Sequence, residues 1–111
     1  MPTRYPCILE DVAGTIRSFA DEPTADVYYG RETKAARRLP KSIWPVIRRK
    51  LDALNRARSL QDLRLPTGNR LEPLKGAQAG RFSIRVNDQY RITFLWTEHG
   101  KAQEVVCEDY H

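Results

Sequence analysis

Phe82-Ser83-Ile84-Arg85-Val86-Asn87-Asp88-Gln89-Tyr90-Arg91-Ile92-Thr93-Phe94-Leu95-Trp96 is the stretch on which the fold turns. Phe82, Ile84 and Val86 alternate with Ser83, Arg85 and Asn87. After a polar turn at Asn87-Asp88-Gln89, Tyr90, Ile92, Phe94 and Trp96 alternate with Arg91, Thr93 and Leu95. A period of two sends successive side chains to opposite faces, so the stretch predicts an antiparallel hairpin with one apolar face. Glu98-His99-Gly100 supplies the next reversal, with Gly100 suited to positive φ, and Gln103 to Asp109 returns as the last strand.

Upstream of the hairpin the period changes. Ser42 is an expected N-cap, Pro45 suits an opening turn, and Ile43, Ile47, Leu51 and Leu54 recur at helical spacing. Arg48, Arg49, Lys50 and Arg56 fill the other faces, so one stripe packs on the sheet and another meets solvent or a partner. From Asp21 to Arg38 the pattern predicts one broken helix or two short ones. Pro23 fits the first turn, Gly30 weakens the middle and Pro40 stops it. Ile16-Arg17-Ser18-Phe19 alternates as a short strand. Between the long helix and the hairpin, Pro66-Thr67-Gly68-Asn69 marks a turn, Leu71 to Leu74 an extended piece, and Lys75 to Gly80 a flexible loop. Helices followed by an antiparallel meander give an α+β layer structure. Residues 1–15, punctuated by Pro2, Pro6 and Gly14, read as an extension to a single domain over 16–111.

A chain of 111 residues with 41% apolar content matches one hydrophobic core. No run approaches the eighteen or so apolar residues of a membrane span, and the start lacks a secretory stretch, so a cytoplasmic location is expected. Cys7 and Cys107 stand near opposite ends without ligand spacing, which predicts neither a disulfide nor a metal site, and no cofactor is expected. The net charge of +5 is unevenly spread. From Arg31 to Arg58 cations face only Glu32 and Asp52, and Arg70, Lys75, Arg81, Arg85 and Arg91 continue the series. Counterion release makes such a distribution favourable on nucleic acid, although a solvated helix face has the same composition.

The chain ends Glu108-Asp109-Tyr110-His111, an imidazole, a phenol and a carboxylate beside a terminal carboxylate. Cleavage of RNA by its own 2′-hydroxyl needs a base at that oxygen, cations on the phosphorane and an acid at the leaving 5′-oxygen. His111 titrates near neutrality and suits either proton role. Arg91, Lys75 and Arg85 suit the developing charge, and Tyr110 suits stacking on a base or proton relay. Asp109 can orient His111 or Tyr110. Arg91, alternating with apolar neighbours, must pair with a carboxylate or await an anion. Antiparallel pairing of the last two strands is expected to bring the tail to Tyr90 and Arg91.

Three segments together resemble the HigB-type toxins of the RelE/ParE superfamily. They are Gly68-Asn69-Arg70-Leu71-Glu72-Pro73-Leu74-Lys75-Gly76, Gly80 through Ile92, and the terminal Glu108-Asp109-Tyr110-His111. The resemblance covers Ile16 to the end and implies a RelE-like fold with two N-terminal helices on a small antiparallel sheet. It implies a ribosome-dependent endonuclease acting on mRNA in the decoding site. The implied partner is a helix-turn-helix antitoxin of the HigA type, through which alone operator DNA is bound. Carried over by position, Lys75, Arg91, Asp109, Tyr110 and His111 match residues of substrate binding or catalysis, with Arg70, Glu72, Arg81 and Arg85 as expected substrate contacts. Two departures stand out: Glu72 replaces a histidine of some members, and residues 1–15 precede the usual start. The alternatives are a gyrase-directed toxin of the ParE kind and a non-catalytic protein acting with its antitoxin on operator DNA.

Overall fold

The computed structural model describes residues 14–64, 67–76 and 80–109. The hairpin forms as its alternation requires. Strand β2 (Arg81–Arg85) and strand β3 (Tyr90–Trp96) pair antiparallel, with Phe82 opposite Phe94 and Ile84 opposite Ile92. The Asn87 side chain closes the turn by accepting from the backbone N–H groups of Gln89 and Tyr90 at 2.8 and 2.7 Å. Strand β4 (Ala102–Asp109) returns along β3 after a turn in which Gly100 takes the left-handed φ of 75. A two-residue strand, β1 (Glu72–Pro73), completes the sheet in the order β1-β2-β3-β4.

Strict alternation fails once, inside β4. Glu104 has φ 52, and the β3–β4 register shifts between Thr93 and Leu95. The extra residue of this bulge resets the phase, so Ala102, Val105 and Cys107 all reach the core despite the odd spacing between the first two. The free edge of β4 is covered as well. Residues 15–20 run parallel to it, with Ile16 bridged to Ala102 and Phe19 to Val105. The expected short strand is therefore an interrupted edge partner, two isolated bridges on either side of the bulge, and it leaves less edge for unwanted pairing.

Two helices pack on one face. Helix α1 (Glu22–Tyr29) begins at Asp21, whose carboxylate accepts from Thr24 N–H at 3.0 Å, and ends at Gly30 with φ 77. Gly30 thus terminates the helix, and a short 3-10 turn at Ala36–Arg38 is the second piece of the broken pattern. Helix α2 (Trp44–Arg56) buries Trp44, Ile47, Leu51 and Leu54. Ser42 does not cap it. Ser42 lies within a 3-10 turn, Lys41–Ile43, that leads directly into α2. There Ile43 N–H donates to Pro40 at 3.1 Å and Trp44 N–H to Lys41, while Pro45 has no N–H to satisfy. At the far end Thr15 caps the helix, its N–H on Asn55 O at 3.0 Å and its hydroxyl on Ala57 O at 2.5 Å.

The core between helices and sheet holds Phe19, Ile47, Leu51, Leu54, Ile84, Ile92, Phe94 and Val105, all essentially inaccessible. Cys107 belongs to it, and burial, with Asp21 and Glu108 adding negative charge, pushes its thiol up to about 12. At pH 8 the thiolate fraction in the folded state is then on the order of 10⁻⁴. Peptide mapping after treatment with a thiol reagent at pH 8 should find Cys107 unmodified in native protein and modified after denaturation. Because the folded thiol keeps its proton, stability is unaffected at lower pH and declines as pH rises above about 8.5, where the unfolded thiol ionises. Native labelling of Cys107 would mean that β4 is not packed as described.

A polar sheet face as the candidate functional site

The sheet face turned away from the helices carries most of the candidate residues that the structure describes. Cross-strand partners share a face, and the register sets Arg91 beside Arg85 and Glu108, Thr93 beside Ser83 and Val106, and Ser83 beside Glu72. Arg91 is 8% exposed, too little for an arginine to be satisfied by water. Its Nε donates to Ser83 Oγ at 2.8 Å, and its Nη2 to the carbonyl oxygens of Arg70 at 2.5 Å and Ser83 at 3.4 Å. The Glu72 carboxylate lies 3.8 Å from Nη2 and is 57% exposed, so it supplies a solvent-screened counter-charge. The pairing expected of Arg91 is thus found, but two carbonyls and a hydroxyl hold the guanidinium more closely than the carboxylate does.

The network continues along β3. Thr93 donates its hydroxyl proton to Glu108 Oε2 at 2.6 Å and accepts from Arg81 Nη2 at 3.2 Å. Arg81 also reaches over the β4 bulge to Glu104, with its carboxylate at 3.2 Å and its carbonyl at 3.0 Å. Arg85 forms an ion pair with Asp88 in the hairpin turn. Arg70 is exposed and has φ 47, a left-handed conformation that costs a non-glycine residue about 1 kcal/mol or more.

Tyr90 pairs with Asp109 and Arg91 with Glu108, so the last strand does end beside the expected residues. Asp109 shares the face of Tyr90, opposite to that of Arg91, and its carboxylate accepts from Gln89 Nε2 at 3.0 Å. Tyr110 and His111 lie outside the described residues. Lys75 is exposed and follows Leu74, whose N–H pairs with Arg81 O at 2.8 Å. It therefore leaves the sheet near the Arg81 rung, while Arg91 sits on the Arg85 rung four residues along β2, roughly 13 Å away. The structure gathers Arg70, Glu72, Arg81, Arg85 and Arg91 on one surface and sets Lys75 at its far margin. A cleft of about 630 Å³ between Thr15, Asn55, Ala57 and Gly100 shares no residue with this surface.

Sequence reading missed Ser83, Thr93 and Glu108 as partners, although small polar residues at alternate strand positions beside a charged one were the available signal. It also missed Lys50 and Asn69, whose contact spans nineteen positions. Burial and the like charges of Arg49 and Arg85 hold the Lys50 ammonium below its ordinary pKa.

The family model described as the RelE-like toxin of the type II toxin-antitoxin system HigB matches residues 17–111. The chain belongs to this HigB-like toxin family. Toxin HigB-1 of Vibrio cholerae serotype O1 is 46% identical over 67 residues, which cover 60% of this chain and 70% of that toxin. An uncharacterized protein of Haemophilus influenzae is 39% identical over 59 residues, 53% of this chain and 58% of its own. Among solved structures, the YoeB/ParE toxin from Agrobacterium tumefaciens aligns with TM-score 0.48 and 18% identity over 87% of this chain and 99% of its own. As a HigB-like member the chain is a toxin of a type II toxin-antitoxin system, its two helices and antiparallel sheet forming the RelE-like fold, and it has an antitoxin as partner. Among the described residues of this HigB-like toxin, no helix is long and apolar enough to cross a membrane.

Proposed function

We propose that this toxin is a ribosome-dependent endoribonuclease that cuts mRNA by attack of the RNA's own 2′-hydroxyl. The observation that carries the reading is Arg91: a guanidinium nine-tenths buried, fixed by three oxygens, on the rung where the chain's acid-base tail begins. A cation so fixed does not need to reorganise as charge builds on a phosphorane, which is where electrostatic catalysis is strongest. In this scheme a base removes the 2′-hydroxyl proton and the oxygen attacks phosphorus. The bond to the 5′-oxygen breaks as that oxygen takes a proton, leaving a 2′,3′-cyclic phosphate and a 5′-hydroxyl. Glu72, solvent-facing beside Arg91, serves as the base, and His111 as the acid. Asp109 orients the tail and Tyr110 stacks on a base of the message. Lys75, Arg70, Arg81 and Arg85 hold neighbouring phosphates.

The proposed setting is the decoding site of the ribosome in the cytoplasm, and the proposed antitoxin is a helix-turn-helix protein of the HigA type that carries the complex to operator DNA. Purified toxin added to a translating extract should produce breaks at fixed positions within codons. His111→Ala should reduce them by about 10²-fold or more, the contribution expected of a proton-transferring group. Intact messages with wild-type toxin reject the reading; inhibited supercoiling in their place would indicate a gyrase-directed toxin.

A further inference from the structure

Asn69 is only 2% exposed and uses both ends of its amide. Its Nδ2 donates to Leu63 O at 3.2 Å, and its Oδ1 accepts from the Lys50 ammonium of α2. The next residue is Arg70, whose left-handed φ of 47 aims its carbonyl at Arg91 Nη2, 2.5 Å away. Returning Arg70 to an ordinary φ would rotate the adjoining peptide and withdraw that acceptor. Something must therefore hold the turn in its unfavourable conformation, and the buried Asn69 amide, tied to both Leu63 and α2, is the neighbouring restraint. Lys50 explains why the tie reaches α2: an ammonium near Arg49 and Arg85 would turn to solvent without a polar acceptor to keep it inward.

We propose that Asn69 is a positioning residue for the phosphate site, linking Lys50 through the Arg70 carbonyl to the direction of the Arg91 guanidinium. The inference rests on the endoribonuclease reading for its catalytic consequence but not for its geometry. A guanidinium misdirected by about 1 Å would lower the rate of the chemical step about 10²-fold while binding changes little.

The test measures two quantities on Asn69→Ala and on Lys50→Met, each first shown to be folded by circular dichroism. One is hydrogen exchange at the Arg91 Nη2–H group that donates to the Arg70 carbonyl, followed by NMR of the arginine side chains. The other is single-turnover cleavage of ribosome-bound message. Asn69→Ala is expected to speed Arg91 Nη2–H exchange at least tenfold and to lower the maximal rate by about 10–100-fold, with the half-saturating toxin concentration changed less than threefold. Lys50→Met, which keeps the Leu63 contact, should show the same changes to a smaller degree. Arg91 exchange unchanged in Asn69→Ala overturns the inference, whatever happens to the rate. If Asn69→Ala does not fold, unchanged exchange in Lys50→Met overturns it. Faster exchange in variants of a toxin whose wild type leaves RNA intact upholds the positioning geometry and rejects the endoribonuclease reading alone.

Discussion

Arg91→Ala is expected to lower cleavage of ribosome-bound message by about 10²–10³-fold, the loss that accompanies removal of one preorganised charge-stabilising donor. The same substitution should cost about 1.5–3 kcal/mol of stability, the worth of hydrogen bonds from a charged donor. The carboxylate of Glu72 adds little to that figure because it is more than half exposed. Arg91→Lys separates the two effects. A lysine keeps the charge but has one donor centre, so it cannot reach Ser83 Oγ and the Arg70 carbonyl from two nitrogens as the guanidinium does. It should recover part of the stability and less than a tenfold share of the rate. Denaturant unfolding and single-turnover cleavage on the same preparations decide the matter. Full activity in Arg91→Lys would show that position and planarity of the cation are irrelevant, and full activity in Arg91→Ala would reduce the residue to a strut of the sheet.

The largest loss of stability is expected at Phe94→Ala. Phe94 is fully buried at the centre of β3, its ring 6.3 Å from that of Phe82 and 6.2 Å from that of Trp96. Truncating such a ring removes its transfer free energy and leaves a cavity, together about 3–5 kcal/mol. A domain of this size is stable by only about 5–15 kcal/mol, so the variant should unfold at markedly lower urea concentration or fail to accumulate. Phe82, half-buried across the strand, should cost clearly less when truncated. Equal losses at the two positions would contradict the difference in burial between two rings that share the helix-facing side of the sheet.

What the sequence made legible follows from range. The β2–β3 hairpin, the Gly100 turn and the apolar stripe of α2 are set by neighbours two to four residues apart, and each appears where the pattern predicts it. The return of β4 to Tyr90 and Arg91 was also legible, because a short turn between antiparallel strands fixes the pairing. Ser42 was misleading because a preceding 3-10 turn had already satisfied the donors it would have capped. The bulge at Glu104 was hidden, since one extra residue in a strand looks like an irregular pattern until a partner is aligned with it. The setting of Arg91 was hidden for the same reason. Its partners Ser83 and Arg70 are eight and twenty-one positions away, and the strained φ of Arg70 leaves no trace in the residue type.

The central claim is that the 2′-hydroxyl of the message is the nucleophile at a phosphate held by Arg91. The most direct measurement uses a ribosome-bound message carrying a single 2′-deoxy nucleotide on the 5′ side of the cleaved bond. With the all-ribose message, the account predicts cleavage that leaves a 2′,3′-cyclic phosphate and a 5′-hydroxyl. With the deoxy substitution it predicts no cleavage at that bond. Cutting of the deoxy message at the same bond would contradict it.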